Sequence, residues 1–202
     1  MYVFIHAGIH AREWISPAVT TYVLNELTSK SEQYAKLLEN LDWYILPSHN
    51  PDGYNFTMEH VVESKLFSAN LFGNHSTLFQ ARLWRKTRSD SGSIFGCRGT
   101  DANRNWGYHW NSNTYALLFF CLALPPFIIA GGASNDKCFD TYHGPSAFSE
   151  PETAAVRDFI LSLNGTVKYF NNQHSYSQLI LLPWGYTSDP PENSFELVSH
   201  ND

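Results

Sequence analysis

The sequence has few of the residues that would mark a disulfide scaffold or a nucleic-acid-binding protein. It holds three cysteines in 202 residues, too few for a fold held together mainly by disulfides. Lysine and arginine number 13 against 19 aspartates and glutamates, and the net charge of -6 excludes a broad basic surface. We therefore expect no nucleic-acid partner. Hydrophobic residues at 43% and charged residues at 16% exclude a disordered chain.

Long apolar runs are also scarce. The strongest, residues 115–130, has 16 residues without a charge and contains Pro125-Pro126. A membrane-spanning helix needs about 20 apolar residues, so we expect no membrane span. No secretion signal is visible before the first strand, which predicts either a cytosolic protein or a missing start. Three glycosylation sequons, at Asn55, Asn74 and Asn164, have meaning only if the chain enters the secretory pathway.

Short apolar runs alternate with helical patterns along the chain. Strands are predicted at Tyr2–Ile5, Trp43–Leu46, Val167–Phe170 and Leu179–Leu182. Helices are predicted from an N-cap at Ser16, near residues 37–41, and from a capping box at Ser149 through Leu163, with a turn at residues 50–53. This alternation predicts an α/β layered domain with a largely parallel or mixed sheet.

One loop concentrates chemistry-bearing residues. His10 and Glu13 follow the first strand and precede a helix, where the sites of α/β sheets tend to lie. Imidazole nitrogen and carboxylate oxygen are good zinc ligands, and a catalytic zinc takes three protein ligands. His174, which follows a later strand, is the best candidate for the third. A single His-x-x-Glu is usually structural, so this hypothesis depends on the remote histidine and on Arg12 and Trp14 beside the pair.

Two further clusters combine arginine with polar or aromatic residues, at 84–88 and 101–106. Arginine and asparagine together can hold a carboxylate through planar, paired hydrogen bonds. The alternative is that each cluster is a solvated basic face or a turn.

Five short motifs are the most specific signal in the sequence. They are His-Ala-Arg-Glu-Trp (10–14), Asn-Pro-Asp-Gly-Tyr (50–54), Leu-Trp-Arg-Lys-Thr-Arg (83–88), Asp-Ala-Asn-Arg-Asn-Trp (101–106) and His-Ser-Tyr-Ser-Gln-Leu (174–179). In these motifs and their order the chain resembles the zinc metallocarboxypeptidases of the pancreatic carboxypeptidase A/B type. The resemblance implies a three-layer α/β fold with a mixed, mostly parallel central sheet flanked by helices. It also implies a single peptidase domain over residues 1–202, incomplete at both ends.

The resemblance also implies a function and its residues. A hydrolase of this kind uses one Zn²⁺ to cleave the C-terminal peptide bond of peptides and proteins. His10, Glu13 and His174 would bind the zinc, and Arg85 would stabilise the oxyanion. The residues expected to bind substrate are Arg12, Asn103, Arg104, Ser175 and Tyr176. We expect a monomer whose partners are peptide and protein C-termini.

Cysteine pairing bears on the compartment. Cys97 and Cys138 match the family's disulfide, which leaves Cys121 unpaired. A disulfide implies an oxidising compartment, so the resemblance predicts an extracellular or secretory-pathway protein.

Several parts of the chain depart from the family pattern. Residues 61–80 and about 112–130 are extra, and are interpreted as surface insertions or retained introns. The family's last quarter, with its general-base glutamate, is expected to be absent. The alternative function is therefore a catalytically inactive zinc- or peptide-binding fragment. Asn172, Leu181 and Gly185 match specificity-pocket positions, but they leave the choice between aliphatic or aromatic and basic C-terminal residues open.

Overall fold

The computed structural model describes residues 1–67, 81–111, 132–163, 167–187 and 189–194. Its elements, in chain order, are β1 (Tyr2–His6), α1 (Ile15–Ser29), α2 (Ala35–Leu38), β2 (Asp42–Leu46), α3 (Pro51–Phe67), a 3₁₀ helix (Ala102–Arg104), α4 (Pro151–Ser162) and β3 (Val167–Asn172). Of the two predicted insertions, 112–130 and residues 68–80 of the other lie outside the described residues.

The sheet is built around β1. The strand order is β2-β1-β3, and β1 pairs with both neighbours in parallel. Val3, Phe4 and Ile5 of β1 are buried, as expected for a central parallel strand covered on both faces. His6 lies opposite Leu46 on one side and Asn172 on the other. The three strands therefore end at the same edge, and the loops that follow them start side by side.

Helices cover both faces of this sheet. On one face, Phe159 of α4 packs against Phe4 and Tyr44, with ring centroids 6.1 and 5.1 Å away. On the other face, Leu24 and Leu27 of α1 line a groove together with Trp43 and Ile45 of β2. Alternate residues of β2 thus point to opposite helical layers, as the pleat of a strand requires. The predicted α/β fold with a parallel sheet between helices is confirmed.

The first three predicted strands are confirmed, but the fourth is wrong. Residues 179–182 form no strand, and Leu179, Ile180 and Leu181 are exposed. No strand of the described part of the chain pairs with this segment. An apolar run alone cannot specify a strand, because its backbone groups need a partner.

Two predictions about where helices begin were also wrong. The turn expected at residues 50–53 is the start of α3, with Pro51 in the first helical position and Asn50 Oδ1 accepting from the Gly53 N–H at 2.9 Å. The N-cap of α1 is Trp14 rather than Ser16. The Ser16 hydroxyl instead accepts from the Gly8 N–H and donates to the Glu13 carbonyl, which fastens the preceding loop to the helix.

Helix α4 differs from its prediction at its first residue. Its N-cap is Glu150, which makes no side-chain capping bond, so the capping box at Ser149 does not form. Asn105 accounts for this, because its amide nitrogen donates to the Ser149 hydroxyl at 2.8 Å and its amide oxygen accepts from the Glu150 N–H at 3.1 Å. Within the described ranges, no helix combines the length and the apolar character that crossing a membrane requires.

Candidate metal centre and peptide cleft

The loop after β1 is held against the loop after β2. The His49 N–H donates to the Ala7 carbonyl and the Asn50 N–H to the Gly8 carbonyl, both at 3.0 Å. Gly8 has a φ of +68°, and a Cβ there would approach Pro47 O to 3.1 Å. Glycine is therefore required at this position by both conformation and space. The result is a tight strand-to-helix loop with a fixed path.

Within this loop a turn brings the first two candidate ligands together. The Glu13 N–H donates to the His10 carbonyl at 3.2 Å, and the Ala11 N–H donates to Arg85 O at 3.1 Å. Glu13 Oε1 then lies 2.7 Å from Nδ1 of His10. Both side chains are buried, with 3% and 6% exposed.

The third candidate reaches the pair from the loop after β3. Nδ1 of His174 lies 2.9 Å from Glu13 Oε2 and 3.2 Å from Nδ1 of His10. The three donor atoms lie within 4.8 Å of one another. The structure thus brings together the three residues expected to bind zinc, although they are up to 164 positions apart in the sequence.

The chemistry of this donor set fits a zinc ion. Two imidazole nitrogens and one carboxylate face a common point, which is the ligand set of many catalytic zinc sites. The other nitrogen of His10, Nε2, lies 3.1 Å from Asp101 Oδ1. A carboxylate there holds a proton on Nε2, so that Nδ1 could give its lone pair to a bound zinc ion.

Asp101 is a residue of the site that the sequence reasoning missed. It is fully buried, and its carboxylate contacts His10 through Oδ1 and Arg85 through Oδ2. Oδ1 also accepts the Asn103 N–H at 2.9 Å, which caps the 3₁₀ helix. The signal was its place beside Asn103 and Arg104 in one polar motif, but only the fold shows that it contacts His10.

Both carboxylates of this network are held ionised. Burial by itself raises the pKa of Glu13, but hydrogen bonds from His10 and His174 outweigh it and lower that pKa to about 2. Burial likewise raises the pKa of Asp101, and the His10 hydrogen bond with the charges of His10, Arg85 and Arg104 lowers it to about 2. Above the acidic range the site therefore carries two negative charges, which favour a bound cation.

Arg85 stands between the ligand cluster and an open cleft. Its Nε and Nη2 donate to Asp101 Oδ2 at 3.1 and 2.8 Å, a paired contact that fixes the guanidinium plane. Nη1 makes no hydrogen bond within the described part of the chain. The cleft, of about 680 Å³, is lined by Arg12, Glu13, Arg82, Leu83, Arg85, Ser175, Tyr176 and Ser177. Four residues expected in the site, besides the ligand Glu13 itself, thus share one cavity wall: Arg12, Arg85, Ser175 and Tyr176.

Three of these residues, Arg12, Ser175 and Tyr176, belong to the part of the cleft wall expected to contact substrate. Ser175 follows the ligand His174 directly and donates its N–H to Glu13 Oε2 at 3.1 Å. Tyr176 is 95% exposed, so its ring is accessible to a bound peptide. Arg12 donates through Nη1 to Leu83 O at 3.3 Å and to Asp140 Oδ2 at 3.1 Å.

The expected carboxylate-binding pair lies beyond Asp101. Asn103 and Arg104 follow it on the 3₁₀ helix, but neither is among the residues lining the cleft. The Arg104 guanidinium donates to Gly132 O through Nε and to Asn103 O through Nη1. Their role in holding a carboxylate stays a prediction.

The residues matched to a specificity pocket do not form one among the described residues. Leu181 is 82% exposed, and a Cβ at Gly185 would meet no atom within 4 Å. Asn172 ends β3, and its Oδ1 has no hydrogen-bond partner in the described ranges. The C-terminal residue preferred by the protein therefore stays open.

Cys97 and Cys138 are joined by a disulfide, the pair that the resemblance implied. It closes a loop of 41 residues and links the segment after Arg85 to the segment that carries Asp140. Cys121 lies outside the described residues.

Comparison with known proteins agrees with this geometry. A family model described as zinc carboxypeptidase matches residues 2–201. Carboxypeptidase B of Astacus astacus is 41% identical over 191 residues, which cover 95% of this chain and 50% of that protein. Zinc carboxypeptidase A 1 of Drosophila melanogaster is 45% identical over 199 residues, which cover 97% of this chain and 37% of that protein.

A solved structure shows the same likeness in three dimensions. Bovine thrombin-activatable fibrinolysis inhibitor, in complex with tick carboxypeptidase inhibitor, aligns with a TM-score of 0.70 and 32% identity. The alignment covers 97% of this chain and 53% of that one. The chain thus spans about half the length, or less, of the relatives it matches.

Proposed function

This chain belongs to the zinc carboxypeptidase family, and on that premise we propose that it removes C-terminal amino acids from peptides with one zinc ion. The observation that carries the proposal is the convergence of His10, Glu13 and His174 beside a cleft lined by Arg85. A metal-binding cluster alone would fit many functions. A cationic group fixed next to it fits the hydrolysis of an amide, which develops negative charge on oxygen.

The ligands proposed for zinc are His10, Glu13 and His174. When bound, zinc polarises a carbonyl and lowers the pKa of a coordinated water to about 7. The protein's part is to keep the ligands in the right protonation state. Asp101 holds the proton of His10 on Nε2, and the Ser175 N–H donates to Glu13 Oε2, which favours the carboxylate form of Glu13.

Arg85 is proposed to stabilise the oxyanion. Because Asp101 takes its Nε and Nη2 groups, the guanidinium cannot swing freely. The Nη1 edge remains for a substrate oxygen on the cleft side. A donor that is already oriented stabilises developing charge without reorganisation during the reaction.

Substrate binding is proposed to involve both ends of the site. Asn103 and Arg104 would bind the free C-terminal carboxylate, while Arg12, Ser175 and Tyr176 would contact the residue before the scissile bond. The exposure of Tyr176 and the shared cleft wall support the second group. Recognition of a free carboxylate is what would distinguish an exopeptidase from an endopeptidase.

The compartment is proposed to be extracellular or within the secretory pathway. The Cys97–Cys138 disulfide supports this, because such bonds persist in oxidising compartments. We also propose that the chain acts as a monomer, which light scattering of the purified protein would test.

Two measurements test the proposed function. Elemental analysis should find one zinc per chain in the wild type and much less in His10→Ala. The matched control is His109→Asn, since His109 is exposed with a φ of +49°, a conformation that asparagine tolerates.

The second measurement is amino acid release from blocked peptides that end in Phe, Leu, Arg or Lys. The free acids should be cleaved and their C-terminal amides should not. Zinc binding without any release would contradict the enzyme and favour the zinc-binding alternative. No zinc in the wild type would contradict both.

A further inference from the structure

Arg12 lines the cleft and forms an ion pair with Asp140. Both contacts of the Arg12 guanidinium use Nη1, toward Asp140 Oδ2 at 3.1 Å and Leu83 O at 3.3 Å. No acceptor in the described ranges engages Nε or Nη2 of this side chain. That pair of N–H groups forms the edge best suited to bind a carbonyl or carboxylate.

The backbone of Arg12 is fixed as well. Its carbonyl accepts Nη1 of Arg82 at 2.9 Å, and the Arg82 guanidinium lies 3.7 Å above the Trp14 ring. Arg12 is therefore held at its main chain by one arginine and at its tip by Asp140.

Asp140 is carried on a turn that is held from several sides. Cys138, two residues earlier, is bonded to Cys97, and its N–H donates to Asp136 Oδ1 at 2.9 Å. The buried Lys86 donates through Nζ to Lys137 O at 2.7 Å. Lys86 is the neighbour of Arg85, so the segment carrying the oxyanion arginine also anchors the turn that carries Asp140.

The Arg12–Asp140 pair changes the charge that the cleft presents to a peptide. Its lining includes three arginines, at 12, 82 and 85, and one carboxylate, that of the candidate ligand Glu13. Asp140 is the only acidic side chain within the described residues that is paired with Arg12. Without it, the cleft would attract acidic peptide residues through an uncompensated Arg12 guanidinium.

We propose that Asp140 is a specificity-determining residue: it orients Arg12 and cancels its charge, so that the peptide is bound there through its main chain rather than through an acidic side chain. This inference rests on the proposed function, because it concerns the residue before the scissile bond. Asp140 itself acts through Arg12 and is not placed at the reacting atoms.

The test uses Asp140→Asn in the full zinc-loaded chain and three blocked peptides that differ only before the scissile bond, with Glu, Gln or Lys. Removing the charge should raise kcat/KM for Glu relative to Lys by up to about five-fold, the upper end of the range for exposed ion pairs. The change should lie in KM, with kcat nearly constant, and should shrink at high salt. Arg12→Gln in the same background should abolish it.

Asp158→Asn is the matched control, because Arg157–Asp158 is an ion pair of almost the same exposure. Its side chains are 35% and 64% exposed, against 33% and 62% for Arg12 and Asp140. The control should leave the Glu to Lys ratio unchanged. An unchanged ratio in Asp140→Asn, with hydrolysis intact, overturns the inference and leaves the proposed function standing.

A binding measurement keeps the inference testable if hydrolysis fails. The same peptides with a ketomethylene group in place of the scissile amide are titrated against each variant by fluorescence anisotropy. Asp140→Asn should bind the Glu peptide up to about five-fold more tightly than wild type, relative to the Lys peptide. Equal ratios in the two proteins, or no binding of any peptide to the wild type, overturn the inference.

Discussion

Asp101 Oδ1 lies 3.1 Å from Nε2 of His10, although the two residues are 91 positions apart in the sequence. The same carboxylate holds Arg85 through its other oxygen at 2.8 Å. One buried aspartate thus sets the tautomer of a proposed zinc ligand and the orientation of the proposed oxyanion donor. A change at Asp101 therefore affects both His10 and Arg85.

Asp101→Asn should weaken zinc binding without changing the side chain's shape. The amide lacks the charge that orients the His10 ring and holds its proton on Nε2, and such losses outside the ligands themselves typically cost about 10–100-fold in metal affinity. Competition with a chromogenic chelator measures the effect. Asp158→Asn, an exposed carboxylate on α4, is the control and should bind zinc as the wild type does. If Asp101→Asn bound zinc as tightly as the wild type, Asp101 would have no role in zinc binding.

The stability of the fold should fall as pH drops below about 6.5. Nε2 of His6 lies 2.8 Å from Nδ1 of His49, and His6 Nδ1 has no partner among the described residues. Burial above all, together with neighbouring imidazoles, lowers the pKa of His6 to about 3 and that of His49 to about 4. Because the unfolded chain takes up these protons first, stability is full above pH 6.5 and declines toward pH 4. Each histidine contributes a loss of about 2 kcal/mol between pH 6.5 and 5.

Urea unfolding of zinc-depleted protein over that pH range checks this. His49→Gln should reduce the slope of unfolding free energy against pH by about one proton, whatever its offset in stability. Glu13 and Asp101 have lowered pKa values and lose their contribution only below pH 4.5, so they do not enter this range. The same slope in both proteins would contradict the prediction.

Asn50→Ala should be among the most destabilising single changes. Asn50 is fully buried, and its Oδ1 caps α3 through the Gly53 N–H. Its Nδ2 donates to Ile9 O at 3.4 Å and to Lys86 O at 3.0 Å. Loss of the cap costs about 1 kcal/mol, and the Ile9 carbonyl left unpaired costs about 1–3 kcal/mol more, whereas Lys86 O keeps the Trp84 Nε1–H at 2.7 Å. Thermal and urea unfolding measure the loss of stability. Asn40→Ala is the control: the Asn40 side chain is exposed and, within the described residues, donates only to Lys36 O at the end of α2, so its removal should change stability little.

Asn50 also shows where sequence reasoning reaches its limit. The Asn-Pro-Asp-Gly segment has the composition of a turn, but the same residues suit a helix start, with Asn as cap and Pro in the first position. What decides between the two is the contact of Asn50 with Ile9 and Lys86, which are distant in sequence. The strand predicted at 179–182 does not form for a related reason, because strand formation depends on a partner strand.

The candidate site was easier to predict from the sequence than the boundaries of these helices and strands. His10 and Glu13 share one loop, and His174 follows a strand, so the parallel sheet brings all three to one edge. The pairs Asp101–His10 and Asp140–Arg12 could not be predicted, because each joins loops whose approach depends on the whole fold.

Arg85→Lys should lower kcat far more than it changes zinc content or KM. A lysine keeps the positive charge but loses the paired contact that Nε and Nη2 make with Asp101, so the charge is no longer aimed at the cleft. Loss of one oriented oxyanion donor typically costs about 10²–10³ in kcat. Steady-state hydrolysis of a blocked dipeptide measures the loss, and elemental analysis of the same sample should still find one zinc per chain. Arg157→Lys, which changes a partly exposed arginine on α4, should leave kcat unchanged. Near-wild-type kcat in Arg85→Lys would show that a fixed guanidinium is not needed, while loss of zinc would assign Arg85 a structural role through Asp101.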